Sequence, residues 1–391
     1  MRKTIDTSKL KKDITFIYMD AAERAAYLPI QQEAERRGYT TRLTDDKFAK
    51  CEIGFYCQHV NFPNYSKFSV IMLHDIIQSA DKWPDIWKYE PWDGYDIGFL
   101  PSRQWVDNWN QCSEYRYTQP ALGVYHVGWP KADVIIKLKQ PGKREAFFQK
   151  YGLDPNKKTV LYAPSWENDG KQDDFVQAML KLDVNILIKH SAVDEKIYPD
   201  MFRCIREMAE LHKDIPNVTI LDPKTNIFEA IAVSDLLVSD ESSTMVEALM
   251  LGVPAVSVTD WLIPDTTPSH PSNCNYEFTI RTVRDQLSEC VHGILEHYGE
   301  AKKFAEDWSA KTFSYIGNTS KMMMDVLDAA LEGKPSPVPA LIPNTSRRED
   351  PAQIKEARKI HFKRYICGNY CVRNKFLSYL LMKHNKRKGY I

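Results

Sequence analysis

The sequence contains no unbroken apolar run of about 18 residues, so it predicts no membrane-crossing helix. Its start, Met1 to Asp13 (MRKTIDTSKLKKD), lacks the continuous apolar stretch of a secretory signal, and the expectation is a cytoplasmic protein. Metal-type cysteine spacing is missing as well. The eight cysteines, at positions 51, 57, 112, 204, 274, 290, 367 and 371, form no Cys-x-x-Cys pair, which makes reduced thiols the expectation. There is no Asp-x-Asp pair either, so neither a tightly held metal nor a cofactor is expected. No internal repeat or low-complexity block stands out.

Net charge is also absent, with 52 Lys and Arg against 52 Asp and Glu. The balance hides an asymmetry. Residues 353–391 hold eleven Lys and Arg against the single acid Glu356, leaving 41 basic and 51 acidic residues before them. A mostly acidic chain argues against a nucleic-acid partner.

What is present reads as two globular domains. The chain has 391 residues, 43% apolar and 27% charged, more than one core of ordinary size takes up. Short apolar runs at Ile14–Tyr18, Thr40–Leu43, Glu52–Cys57, Ser69–Leu73 and Ile97–Pro101, with a helix over 20–38, give a βαβ rhythm. Residues 102–126, rich in Trp, Tyr, Asn and Gln, fit no single element. The rhythm resumes with strands at 159–163, 184–188, 218–221, 235–239 and 254–258, separated by helical stretches. Two doubly wound α/β domains follow: 1–135 and 136–334. Pro335, Pro337, Pro339 and Pro343 make 335–352 a linker, and 353–391 a basic amphipathic tail.

The segment from Asp235 to Val258 carries the most chemistry. Its strand delivers Asp240, Ser242 and Ser243 to the carboxyl edge of a sheet, where a helix begins. Open amides and the positive dipole end suit a phosphate there, and the serine hydroxyls add donors. The plainer alternative is that Ser242 or Asp240 caps the helix. One turn later, Glu247 can accept hydrogen bonds from ribose hydroxyls, as the acid of dinucleotide folds does.

Several segments resemble a known family. The run Glu247 to Val256 (EALMLGVPAV) is similar to the donor helix of GT-B enzymes. Gly128 to Asp133 (GWPKAD), Val160 to Trp166 (VLYAPSW) and Ser239 to Ser243 (SDESS) resemble, in order, three motifs of the CDP-glycerol glycerophosphotransferase family. That family polymerises teichoic acids and related capsules. The resemblance implies a GT-B fold, two Rossmann-like domains facing a cleft, with a CDP-activated donor as substrate and a lipid-linked or glycan acceptor.

It also implies site residues. His74, after the strand Ser69–Leu73, matches the family's basic histidine, and His190 matches the histidine of its Arg-x-His-Pro segment. Lys189 and His190 are then expected to carry positive charge to the donor phosphates beside Asp240, Ser242 and Ser243. Ser165 and Trp166 are expected to join Glu247 around the nucleotide, with packing in the cleft the plainer reading of Trp166. A hydroxyl that attacks phosphorus needs such a base and such charge. The sequence departs from the family where Asp75-Ile76-Ile77 follows His74 and where Glu167 follows Trp166 in place of a frequent arginine. Asp75 either orients the His74 imidazole or caps the following helix, the plainer reading, and His212, His292 and His361 read as surface residues of polar helices. The alternatives are a GT-B glycosyltransferase using a nucleotide sugar and an inactive GT-B scaffold that binds polymer or membrane.

The tail mixes its basic residues with Phe362, Tyr365, Ile366, Tyr370, Phe376, Leu377 and Leu380. This pattern suits an interfacial helix on an anionic inner membrane face, or a helix packed on the first domain.

Overall fold

The computed structural model describes residues 7–19, 21–58, 61–76, 86–264, 270–271, 277–344 and 351–366, with positions 380 and 383. It divides into two compact units, residues 1–131 with 318–391 and residues 132–317.

The first unit is built on six parallel strands: β1 (Asp13–Ile17), β2 (Thr40–Thr44), β3 (Cys51–Cys57), β4 (Ser66–Met72), β5 (Ile97–Leu100) and β6 (Val124–His126). Their order is β2-β1-β3-β4-β5-β6. Both faces of the sheet are apolar, because alternate residues of each strand go to opposite sides. Phe16, Phe55 and Val70 pack against Tyr27 and Ile30 of α1 (Ala21–Arg36). Their neighbours Ile17, Tyr56 and Ile71 pack with Trp87 of α2 (Ile86–Tyr89), Trp92, and Trp105 and Trp109 of α3 (Arg103–Cys112). The stretch 102–126 that fits no single element is thus the aromatic wall of this second face. Ser102 caps α3 by accepting from Trp105 N at 3.4 Å, and the buried Trp105, Val106, Trp109 and Cys112 recur at helical spacing.

In the second unit, α4 (Ile135–Leu138) and α5 (Lys143–Tyr151) lead into β7 (Lys158–Tyr162), α6 (Lys171–Met179), β8 (Val184–Ile188), α7 (Pro199–His212), β9 (Val218–Ile220), α8 (Ile227–Val233), β10 (Leu236–Ser239), α9 (Thr244–Met250) and β11 (Ala255–Val258). A short antiparallel pair, β12 (Leu262–Ile263) and β13 (His270–Pro271), precedes β14 (Thr279–Thr282), α10 (Leu287–Glu296) and α11 (Tyr298–Thr312). The parallel order is β14-β11-β10-β7-β8-β9. Connections run outward in opposite directions from β7 and β10, so a crevice opens between the carboxyl ends of those two strands. Gly252 ends α9 at φ +70°, where a Cβ would meet Glu306 Cγ at 2.8 Å.

The expected domain limit at residue 334 moves to 317. After Gly317 the chain returns to the first unit, and α12 (Thr319–Leu331) places Met323, Met324, Val326 and Leu327 in the core of Phe16 and Phe55. Arg37 of the first unit binds Asp325 and Asp328 of α12, each at 2.7 Å. The described first part of the expected linker, residues 335–344, is likewise docked rather than loose. Val338 is buried in the same core, Leu341 N donates to Val124 O at 2.8 Å, and Asn344 N donates to Ser113 Oγ at 2.9 Å. Prolines exclude a helix here without excluding a fixed path.

Of the tail, α13 (Pro351–Ile366) lies beside α2, and at 100° per residue its apolar positions spread around the axis. It is basic but not amphipathic. Most of the tail after it, with Tyr370, Phe376 and Leu377, lies outside the described residues. Among the described residues no helix is long and apolar enough to cross a membrane. Cys51, Cys57, Cys112, Cys204 and Cys290 form no disulfide among them.

Candidate functional site

The loops after β7 and β10 meet at the crevice of the second unit. Ala163 O, at the end of β7, accepts from Ser239 Oγ at 2.7 Å and from Thr244 Oγ1 at 2.9 Å. Asp240 and Lys171 fasten the loops more tightly. Both side chains are fully buried, with Lys171 Nζ 2.9 Å from Asp240 Oδ2. The carboxylate also accepts from Ser165 N at 2.6 Å, Ser165 Oγ at 2.8 Å and Trp166 N at 3.3 Å. A buried charge needs this degree of pairing to offset its lost hydration.

Two sequence expectations change here. Asp240 is not a phosphate contact: it is an anion sealed from solvent, with both oxygens occupied by protein donors. Ser165 is not aimed at a nucleotide, since its hydroxyl is turned onto Asp240. Trp166 packs edge-on against Tyr198, ring centroids 5.3 Å apart.

Ser242 and Ser243 divide the two roles weighed for them. Ser242 Oγ accepts from Thr244 N at 3.3 Å, a local cap, and Met245 N donates to Ser242 O at 3.3 Å. The helix start therefore has fewer open amides than its sequence suggests. Ser243 is exposed and makes no side-chain cap bond. Glu247 is 9% exposed, so it is not a solvated helix glutamate. Lys189 donates from Nζ to His190 O at 2.9 Å and Pro223 O at 3.1 Å. Burial pulls its pKa down, against the opposing pull of Glu247 and Asp222.

His190 does not supply the expected positive charge. It is 2% exposed, and burial, then the charge of Lys189, bring its pKa down to about 3. His190 follows Lys189 directly, whereas Arg-x-His-Pro leaves one residue between. In extended chain a one-residue difference reverses the side faced. His212, expected on the surface, is 1% exposed and hydrogen-bonded at both ring nitrogens, to Gln172 and Asp173.

Glu167 is the residue that sequence reasoning missed. It is fully buried, accepts from Tyr162 OH at 2.7 Å and Gln172 N at 3.3 Å, and burial lifts its pKa to about 7. Its sequence signal was its place in the loop after β7, where an acid stands in place of a frequent arginine.

In the first unit His74 follows β4, with Nε2 3.0 Å from Asp75 Oδ1. Asp75 also accepts from Gln58 Nε2 at 2.7 Å, and the segment it was expected to cap, after Ile76, lies outside the described residues. Burial alone would raise the Asp75 pKa, but hydrogen bonding and charge from His74, with help from Gln58 and Lys131, leave it lowered. Two tryptophans hold the backbone of the pair. Trp129 Nε1 donates to His74 O at 2.7 Å and Trp105 Nε1 donates to Asp75 O at 2.9 Å. The Gly128–Asp133 motif thus fixes the histidine loop. His74 Nδ1 is buried without a hydrogen-bond partner. Glu23, Cys57 and His74, far apart in sequence, bring one potential ligand atom each within 4.8 Å of one another.

Residues 92–261 match the family model described as CDP-Glycerol:Poly(glycerophosphate) glycerophosphotransferase. The UDP-N,N'-diacetylbacillosamine 2-epimerase (hydrolyzing) of Legionella pneumophila is 29% identical over 143 residues, covering 34% of this chain and only 36% of the relative's length. Among solved structures, a variant of the wall teichoic acid polymerase TagF soaked with CDPG is similar at TM-score 0.54 and 15% identity, over 83% of this chain and 90% of that one. The UDP-GlcNAc 2-epimerase from Neisseria meningitidis bound to UDP-GlcNAc is similar at TM-score 0.54 and 12% identity, over 81% of this chain and 98% of that one. The two parallel sheets are those of the GT-B fold. The three motifs at Gly128, Val160 and Ser239 all fall inside residues 92–261, the span that matches the CDP-glycerol glycerophosphotransferase family model.

Proposed function

We propose that this protein transfers glycerol phosphate, or a related polyol phosphate, from a CDP-activated donor to a teichoic-acid-like or capsule-like glycan acceptor. The observation that carries this reading is the family match over residues 92–261, which contains the whole crevice between β7 and β10. The donor diphosphate is held by Lys189, Ser242 and Ser243, with the ribose at Glu247. Lys189 keeps hydrogen-bonding capacity, since an ammonium has three donors and two go to carbonyls.

In the reaction, an acceptor hydroxyl attacks the β-phosphorus. A new P–O bond forms as the bond from that phosphorus to the bridging oxygen breaks, and the electron pair leaves with CMP. His74 takes the hydroxyl proton at Nδ1, with Asp75 holding the Nε2 proton. Charge on the transferring group is spread over the lysine and hydroxyl donors. No step uses a metal or cofactor. The basic tail directs the enzyme to an anionic inner membrane face, where a lipid-linked acceptor would be met.

Incubation with CDP-glycerol and a glycerol phosphate-primed acceptor should release CMP and lengthen the acceptor. A thermal-shift panel of CDP-glycerol, UDP-sugars and GDP-sugars separates this reading from a nucleotide-sugar enzyme, which the epimerase likeness favours. Stabilisation by a UDP-sugar but not by CDP-glycerol would replace the reading. Binding of neither, with binding of polymer, would leave an inactive scaffold.

A further inference from the structure

His190 ends a chain of hydrogen bonds in which each partner has only one consistent assignment. Asp173 Oδ1 lies 2.9 Å from His212 Nε2, and the Asp173 carboxylate is held below its ordinary pKa by His212 and Gln177 despite the opposing effect of burial. A carboxylate accepts, so His212 carries a proton on Nε2. Gln172 Nε2 lies 2.9 Å from His212 Nδ1 and donates to Met208 O at 3.0 Å. That backbone carbonyl fixes the amide independently, since a flipped Gln172 would set oxygen against oxygen. Nδ1 of His212 is therefore an acceptor. The Gln172 oxygen in turn faces His190 Nε2 at 2.7 Å, so that nitrogen carries the His190 proton.

The other nitrogen of His190 is left as a bare lone pair. It is buried and has no hydrogen-bond partner, an arrangement that is unfavourable when nothing fills it. Tyr162 stands edge-on to the ring, with centroids 5.7 Å apart. His190 sits beside Lys189 at the end of β8, the strand paired with β7 at the crevice. An unprotonated ring nitrogen repels phosphate oxygens and accepts only from N–H or O–H groups.

We infer that Asp173, His212 and Gln172 form a positioning relay that holds His190 as its Nε2–H tautomer, so that Nδ1 accepts a hydrogen bond from a hydroxyl of the bound nucleotide donor. The hydroxyl half rests on the function proposed above; the tautomer half stands on this geometry alone. His190 is then a selector for a hydroxyl-bearing ligand rather than a cationic phosphate contact. Gln172, His212 and Asp173 act through it.

The test is two-bond ¹H–¹⁵N NMR of the full chain labelled in histidine, with Gln172→Leu and Gln172→Glu beside the parent. In the free parent, His190 is expected as a single tautomer protonated at Nε2, unchanged between pH 8 and 5.5. Gln172→Leu should lose that signature. Gln172→Glu should keep it, because a carboxylate still accepts from His190 while His212 takes up a second proton. Circular dichroism checks that each variant is folded. A His190 protonated at Nδ1 or at both nitrogens in the free parent, or a Gln172→Leu spectrum like the parent's, overturns the relay.

Adding CDP-glycerol should move the Nδ1 resonance upfield in the parent and in Gln172→Glu. Gln172→Leu should bind it about tenfold more weakly, the worth of one such hydrogen bond. CMP and glycerol 3-phosphate, added separately, distinguish a ribose hydroxyl from a polyol hydroxyl. A shift with CMP but not UMP would point to the base amine and overturn the hydroxyl assignment, as would CDP-glycerol binding without any shift. If CDP-glycerol stabilises nothing in a thermal shift, the proposed donor and the hydroxyl contact fall together, while the free-protein spectra still judge the relay.

Discussion

Lys171 Nζ and Asp240 Oδ2 stand 2.9 Å apart with both side chains sealed from water. The pair ties the start of α6 to the end of β10, two elements 69 residues apart in sequence. Removing one charge leaves the other buried and unpaired, which typically costs about 3–5 kcal/mol. Lys171→Met should therefore lower the unfolding free energy, read from urea titrations, by that much. A variant with the parent's stability but lost donor binding would return Asp240 to the phosphate site.

Glu167 makes stability depend on pH. A carboxyl whose pKa is about 7 in the folded chain against 4.5 unfolded binds its proton more tightly when folded. Its contribution is fully present below pH 4.5 and declines as pH rises through about 7, where the buried group must ionise. The ceiling on this loss is on the order of 3 kcal/mol. Glu167→Gln keeps the shape and cannot ionise. Relative to the parent, the variant should gain stability steadily between pH 5 and 8 in urea titrations. Parallel profiles for the two proteins would rule out Glu167 as the titrating group.

The sequence made the two parallel sheets legible because their strands are short apolar runs bounded by turn residues, as at Val160–Tyr162 and Leu236–Val238. The roles of Asp240 and Ser165 were not legible. Both have the right types for a phosphate loop, and only packing against Lys171, 69 residues away from Asp240, turns them inward. His212 misled for a related reason: its helix is polar, but His212 lies on the side of α7 facing Gln172. The return of α12 to the first unit was equally hidden, since local periodicity gives a helix without saying which core it covers.

His74 and Asp75 give the acceptor half of the proposed site its test. A positioned base contributes roughly a hundredfold to ten-thousandfold, so His74→Ala should lower kcat by that range while CDP-glycerol still binds. Asp75→Asn keeps the hydrogen-bonding reach to Gln58 but no longer favours a proton on Nε2 of His74. It should lower kcat by a smaller factor, with donor affinity unchanged. Isothermal titration beside CMP release separates the two effects, and full turnover in His74→Ala would remove this histidine from the chemistry.

The chain's return after residue 317 can be tested at Leu327. Leu327 is fully buried in the first unit's core, and Tyr39 OH donates to Asp328 at 2.5 Å beside the Arg37 pair. Leu327→Ala removes a buried side chain that the rigid sheet cannot collapse to replace, a change worth about 2–5 kcal/mol. Because α12 covers β1 and β3, the loss should appear in the first unit: amides of Phe16 and Phe55 should exchange faster with deuterium, while those of Val160 and Val238 in the second unit should not change. Faster exchange at Val160 with Phe16 unaffected would assign α12 to the other core. A domain cut at residue 334, as sequence rhythm suggests, should likewise leave residues 1–135 without the α12 cover and poorly folded, whereas rejoining 318–344 to that fragment should restore its structure.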